Sequence, residues 1–283
     1  MRTLFYFICS MIITANLYSQ PQLLFTQLYD NGGDEMFWDI YHTSSNEYIA
    51  AGSTADTIMD DIENFYVVKV DTEGEIIWDN TYNRGGGVNA ARTIIETDDG
   101  DFMVAGDSNG NYSVLRVNSE GEELWFNAYG AGICTAIIEL KGGDFILAGI
   151  SNNQGYLICI NGEGDVLWEN DYGTQEDRNY LYAMRETEGG VVVSGYLNSQ
   201  NRNTEDVWII KVNLEGELIW DRTLQSNSRQ RCWAMVSAPD EGFVLTGYES
   251  VQNGLDMILL KINDDGNLLW SRSHNPDFPY QYG

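Results

Sequence analysis

Positive charge is the scarcest commodity in this sequence. Its 283 residues carry 15 Lys+Arg against 43 Asp+Glu, a formal net charge of −28. A chain that binds nucleic acid needs a basic footprint for the phosphate backbone, so that class is excluded. Adhesion to anionic lipid through a basic face is excluded on the same ground. Histidine is nearly absent, with two residues, and cysteine is sparse, with four. This leaves little from which to build a transition-metal site. His42 and His274 stand far apart and match no H-E-x-x-H spacing. No G-x-S-x-G elbow and no glycine-rich loop ending in Gly-Lys-Ser/Thr occurs. Helical periodicity is missing as well. What the chain does have is 43% hydrophobic and 12% aromatic residues, ample material for a core, so it is no disordered acidic tail.

The first nineteen residues read as a separate object. Arg2 precedes an apolar run from Leu4 to Ile13, and small or polar residues follow up to Ser19. This is the pattern of a signal peptide cleaved near Ser19–Gln20. The run is too short for a spanning helix, which needs about 20 apolar residues. Cys9 sits inside the run behind bulky Ile8, the wrong setting for lipid attachment. The expectation is a mature chain from residue 20 onward that is secreted, periplasmic or displayed at the cell surface. No second apolar stretch of spanning length occurs, so membrane insertion of the mature chain is not expected. Of the remaining cysteines, Cys134, Cys159 and Cys232, an odd number, cannot all pair internally. They read as small buried hydrophobes on strands.

Internal repetition organises the rest. Trp78, Trp125, Trp168, Trp220 and Trp270 end the phrases DTEGEIIW, NSEGEELW, NGEGDVLW, NLEGELIW and NDDGNLLW. The shared pattern is Asx-x-x-Gly-x-x-x-Trp, with glycines at Gly74, Gly121, Gly164, Gly216 and Gly266. A second phrase recurs upstream as EYIAAG, DFMVAG, DFILAG, GVVVSG and GFVLTG, ending at Gly52, Gly106, Gly149, Gly195 and Gly247. Tyr82, Tyr129 and Tyr172 each lie four residues beyond the tryptophan. Successive tryptophans are 47, 43, 52 and 50 residues apart. Each copy divides into four short strands rich in β-branched and aromatic residues, in the second copy AARTIIET, DFMVAG, YSVLRVN and EELWFNAY. Asx-x-x-Gly is a turn in which glycine supplies the positive φ. Four-stranded units of this period, with no helix between them, predict an all-β propeller of antiparallel blades, because a lone blade cannot bury both faces. The repeats fall at about 36–82, 88–129, 132–172, 180–224 and 231–274, within a single domain spanning 20–283. LLFTQLY, with Phe25 at the tryptophan position and Tyr29 four residues on, adds an outer strand without a blade of its own. About five blades plus one terminal outer strand are therefore expected, as a compact ring, with a piece of a longer ring that stops where a sixth blade should begin as the alternative.

On these phrases the chain resembles the quinoprotein (PQQ-like) propellers, whose Trp-docking phrase has an Asp, a Thr-Gly pair and a Trp at similar spacing. The second phrase is similar to that of secreted bacterial repeat proteins in the same broad superfamily. The resemblance covers nearly all of the mature chain and speaks to fold. Quinoprotein dehydrogenases are eight-bladed enzymes with an adjacent Cys-Cys pair and a calcium site beside the cofactor. This chain has about five repeats and no adjacent cysteines, so the resemblance carries over the structural tryptophans and no catalytic residue.

Chemistry-bearing motifs are few. RGGGV at 84–88 precedes a strand and reads as a loop, not as a phosphate cradle. The acids at 60–64 and 98–101 raise calcium as a ligand, but their spacing departs from the twelve-residue calcium loop, and polar turns account for them. No metal site, cofactor or catalytic residue is assigned. Lys69, Arg116, Lys211 and Lys261 occupy one equivalent position, filled by Cys159 in the third copy; recurrence points to structural pairing with acids such as Asp79 or Asp221.

Length variation points to a recognition face. From the second-phrase glycine to the Asx the separations are 19, 12, 12, 18 and 16 residues, so the variable connections fall at one end of the blades. Residues 55–65, 196–206 and 249–256 are expected there as loops. Counting eleven residues back from the start of the second phrase aligns Phe37, Ala91, Cys134, Tyr180 and Cys232 on the inner ring. One residue later come Trp38, Arg92, Thr135, Leu181 and Trp233. Trp38, Arg92 and Trp233 are the candidate ligand contacts beneath the loops, since aromatic faces stack on sugars and apolar groups and guanidinium forks pair with carboxylates. The competing reading packs both tryptophans between blades as core. The expected function is non-catalytic binding of an extracellular protein or carbohydrate, with a quinone-dependent or polysaccharide-acting enzyme as the alternative.

Overall fold

The computed structural model describes residue 29 and residues 33–55, 63–199, 204–252 and 254–274. The expected signal peptide at 1–19, Phe25 and the acids at 60–62 lie outside the described residues. Twenty strands form five four-stranded antiparallel sheets, each a simple meander in chain order. The blades run 34–82, 89–131, 133–172, 178–224 and 230–274. Their inner strands are Asp34–His42, Asn89–Glu96, Ile133–Glu139, Arg178–Thr187 and Gln230–Ser237. Their outer strands are Ile76–Tyr82, Glu123–Ala131, Val166–Tyr172, Leu218–Leu224 and Leu268–His274.

The turn leading into each outer strand follows from its Asx. The side-chain oxygen of Asn118 accepts the amides of Glu120 at 3.1 Å and Glu122 at 2.8 Å, and Asp71, Asn161, Asn213 and Asn263 repeat the pair of bonds. The glycine three residues on has φ between 77° and 85° in all five turns, the left-handed region that disfavours a side chain.

Successive blades bury their facing sheets as separate cores. Val67 and Phe65 of the first blade meet Phe102 and Val104 of the second, and the pattern repeats through to Ile209 of the fourth against Leu245 and Leu260 of the fifth. The outer-strand tryptophans bridge these interfaces. The indoles of Trp78, Trp125 and Trp168 donate to the carbonyls of Ser119, Gly162 and Leu214 at 2.9, 3.2 and 2.8 Å, each one blade ahead. A Cβ on Gly121, Gly164, Gly216 or Gly266 would strike the ring. Trp78, Trp125, Trp168 and Trp220 are partly buried, each at the rim with one face on the glycine turn of the next blade.

Three expectations need correction. Lys69, Arg116 and Lys261 do not pair with Asp79 or Asp221. Lys69 meets Glu47, Arg116 meets Asp99 and Asp101, and Lys261 meets Asp240, all carboxylates of the turn after the inner strand. Asp79 instead accepts the Tyr66 hydroxyl at 3.0 Å. The turn at 98–101 therefore has a guanidinium where the calcium reading would put a cation. Residues 249–256 are mostly strand, with Phe243–Val251 and Gly254–Ile262 forming a hairpin, and Gly190–Ser199 and Thr204–Val212 extend into 196–206. Cys134, Cys159 and Cys232 are buried and unpaired.

Candidate functional site

Each inner strand carries a β-bulge at the same level. The register slips at Trp38, Arg92, Thr135, Tyr182 and Trp233, opposite Gly52, Gly106, Gly149, Gly195 and Gly247. Those glycines make the bulge sterically allowed. A Cβ at Gly106 would lie 1.9 Å from the Ala90 carbonyl oxygen, and at Gly195 1.8 Å from that of Tyr180. The second phrase of the repeat thus ends in glycine because the inner strand's backbone closes on it. A bulge re-aims the side chain it carries, here into a shared axial cavity of about 800 Å³ lined by all five bulge residues.

Trp38, Arg92 and Trp233 are brought together in that cavity. Arg92 lies over the Trp38 ring at 5.3 Å and is held by Asp107 at 2.5 Å. Trp38 and Trp233 are 50% and 54% exposed, so neither is core. Thr135 ties the third blade to the fourth through the Leu181 carbonyl. Leu181, expected on this ring, is fully buried between blades, and Tyr182 takes the place. The turn Thr187–Gly190 is one residue shorter than its counterparts, such as Thr97–Asp101, so counting back from Val191 lands one residue early. That shorter Gly-Gly turn was the signal for Tyr182. The same slip moves the preceding ring position from Tyr180 to Leu181.

Tyr182 extends the aromatic surface. Its ring stacks on Trp233 at 5.9 Å with a 16° interplanar angle, and on Tyr196 at 5.9 Å. Burial pushes its phenol above the ordinary value, while Arg231 and Arg92, from the fifth and second blades, pull the other way. Arg231 is itself locked, bidentate to Glu205 at 2.7 and 2.8 Å and lying 4.4 Å over Tyr196, and this pairing raises its pKa further.

The cavity opens away from the variable connections. It runs from the bulge ring toward the ends of the inner strands, where Glu96, Asp98, Glu139 and Arg185 line it. The expected position beneath the long loops is thus reversed. Toward the variable end, Tyr180 stacks on Tyr196 at 4.9 Å and Arg231 covers the latter, filling the space between the fourth and fifth blades. One residue past Trp38, toward the open end, the Asp39 carboxylate accepts the amides of Ile94 at 3.0 Å and Ile40 at 2.9 Å; burial nonetheless raises its pKa. Burial raises that of Glu139 as well. His42 and His274 are not brought together: one ends the inner strand of blade one, the other the outer strand of blade five. Among the described residues no three His, Cys, Asp or Glu side chains group as a metal site.

No protein-family model matches the sequence, and no curated protein is similar to it. Similarity appears in three dimensions. The Dos1 propeller superimposes with a TM-score of 0.56 at 14% identity, over 86% of this chain and 59% of that one. The chain is a β-propeller. A protein of unknown function from Bacteroides caccae matches this propeller with a TM-score of 0.51 at 13% identity, over 80% of this chain and 72% of that one. An ACO/RPE65 chimera matches it with a TM-score of 0.51 at 12% identity, over 83% and 59%. At such identities the likeness is one of fold.

Proposed function

We propose that this propeller is an exported, non-catalytic binding protein that takes its ligand in the axial cavity. The observation that carries the reading is the bulge ring: five blades spend a glycine each to aim Trp38, Arg92, Thr135, Tyr182 and Trp233 into one space. Two tryptophans left half-exposed in a cavity are binding equipment, since burial alone would have covered them. The cations nearest the ring are already matched by Asp107 and Glu205, and carboxylates dominate the open rim. A neutral carbohydrate or an uncharged protein segment fits that balance better than an anion. Residues 1–19 support export, and the docking of Trp78, Trp125 and Trp168 on Asx-x-x-Gly turns supports kinship with the quinoprotein-like superfamily.

The test is a glycan and protein-peptide panel read by tryptophan fluorescence. A binder should shift emission and protect Trp38 and Trp233 from acrylamide, and Trp38→Ala with Trp233→Ala should abolish both effects. A binder whose affinity is untouched by the double change would refute the axial site.

A further inference from the structure

Blade five turns to solvent the face that every other blade buries. Strand pairing makes Leu259 the counterpart of Val67, Val114, Leu157 and Ile209, and Met257 that of Phe65, Tyr112 and Val207. All seven counterparts are fully buried, whereas Leu259 is 45% and Met257 57% exposed. Leu255 and Val236 extend the same apolar surface. On the second, third and fourth strands, none of the residues that pairing turns to this face is Asp or Glu, in a chain with 43 of them. Among the described residues no buried cluster joins blade five to blade one.

The edge of that face repeats a receptor already in use. At the preceding interface Arg222 lies over Trp220 at 5.4 Å, and the pair seats Gly266 of the next blade's Asx-x-x-Gly turn. Arg272 lies over Trp270 at 5.9 Å in the same way, and among the described residues no glycine turn seats upon the pair. At the other end, blade one is already docked by a tyrosine that precedes it, Tyr29. The Tyr29 hydroxyl donates to the Gly74 carbonyl at 3.0 Å, as Tyr82, Tyr129 and Tyr172 do to Gly121, Gly164 and Gly216. Tyr29 also packs with Phe37, Tyr66 and Val68 on blade one's face. The fold thus shows an uncovered blade face after blade five, and before blade one a tyrosine in the position that a further blade's clasp would give it.

We propose that the free face of blade five docks a sixth blade of the same repeat, in which Tyr29 holds the outer-strand tyrosine position. The occupant is a three-stranded unit whose Asx-x-x-Gly turn seats on Trp270 and Arg272. Acidic turn tips, as in DTEGE and NLEGE, suit a receptor edge that presents the Arg272 guanidinium over Trp270.

The experiment appends residues 178–217, the inner three strands of the fourth repeat with their Asx-x-x-Gly turn, after Gly283 of the full chain and follows methionine oxidation by peroxide. In the parent, Met257 should oxidise far faster than buried Met235. In the fusion, Met257 should slow to the rate of Met235 and Tm should rise. Leu259→Glu, a change at an exposed position, should cancel the protection. If Met257 oxidises in the fusion as in the parent, or stays protected despite Leu259→Glu, the proposal fails. It also fails if the unfused parent is a dimer with Met257 protected, since a second copy would then be the occupant.

Discussion

The hydroxyl of Tyr82 donates to the carbonyl of Gly121 at 2.7 Å, and the amide of Asn80 reaches the same oxygen at 3.0 Å. Trp78, on the same strand face, lies on the glycine itself. Trp-x-Asn-x-Tyr is thus a three-point clasp on the next blade's turn, complete at Trp78, Trp125 and Trp168.

Removing one point of the clasp should cost a definite amount. Tyr82→Phe keeps the ring and deletes the donor to a carbonyl that Asn80 still serves, so stability should fall by about 1 kcal/mol. Chemical denaturation of the variant checks this; a loss above about 3 kcal/mol would mean the phenol does more than this one bond.

The tryptophans should differ by blade. Trp125→Ala should cost about 2–3 kcal/mol, below the ~3–5 of a fully buried large aromatic, because the ring is half-buried. Trp270→Ala should cost about 1 kcal/mol or less, since among the described residues no glycine turn seats on its ring. Thermal melts of the two variants side by side decide it, and equal losses would contradict the interface order.

The fourth blade holds the fifth by a reduced clasp. Arg222 and Leu224 stand where asparagine and tyrosine stand elsewhere, and Trp220 alone remains. Blade five should therefore be the first to open. Native-state hydrogen exchange should give the amides of 243–262 lower opening free energies than those of 102–117. Restoring the clasp with Arg222→Asn and Leu224→Tyr should narrow the gap.

The bulge glycines should tolerate no side chain. Gly106→Ala places a methyl 1.9 Å from the Ala90 oxygen, so the inner strand must move. A loss of about 3 kcal/mol or more is expected, together with altered emission from Trp38, which Arg92 of that bulge covers. Unchanged emission would separate the glycine from the ring geometry.

Alkali should destabilise the fold before it damages it. Burial pushes the thiols of Cys134 and Cys159 up to about 12 and that of Cys232 to about 11. Above the ordinary thiol value the unfolded chain loses these protons while the folded chain keeps them. Stability then falls with rising pH, by up to about 1.4 kcal/mol per unit for each thiol. Cys134→Ala should flatten the decline of Tm between pH 9 and 11; an unchanged slope would assign the effect to other groups, such as Tyr82.

Local chemistry determined most of the architecture. Asx-x-x-Gly sets a turn wherever it occurs, strands follow from β-branched runs, and five copies in tandem require a stacked arrangement because one sheet cannot cover its neighbours' faces and its own. The buried cysteines and the ring residues Trp38, Arg92 and Trp233 were legible for the same reason: their positions recur against a fixed repeat. Three things needed the tertiary structure. The replacement of Leu181 by Tyr182 depended on one residue missing from a turn, which shifts register without changing composition. The cavity's direction depended on Tyr180, Tyr196 and Arg231 converging from two blades to fill the other end. The bare face of blade five looks in sequence like every other, since Leu259 and Ile209 are alike as residues, and only the arrangement in space shows which of them has a neighbour.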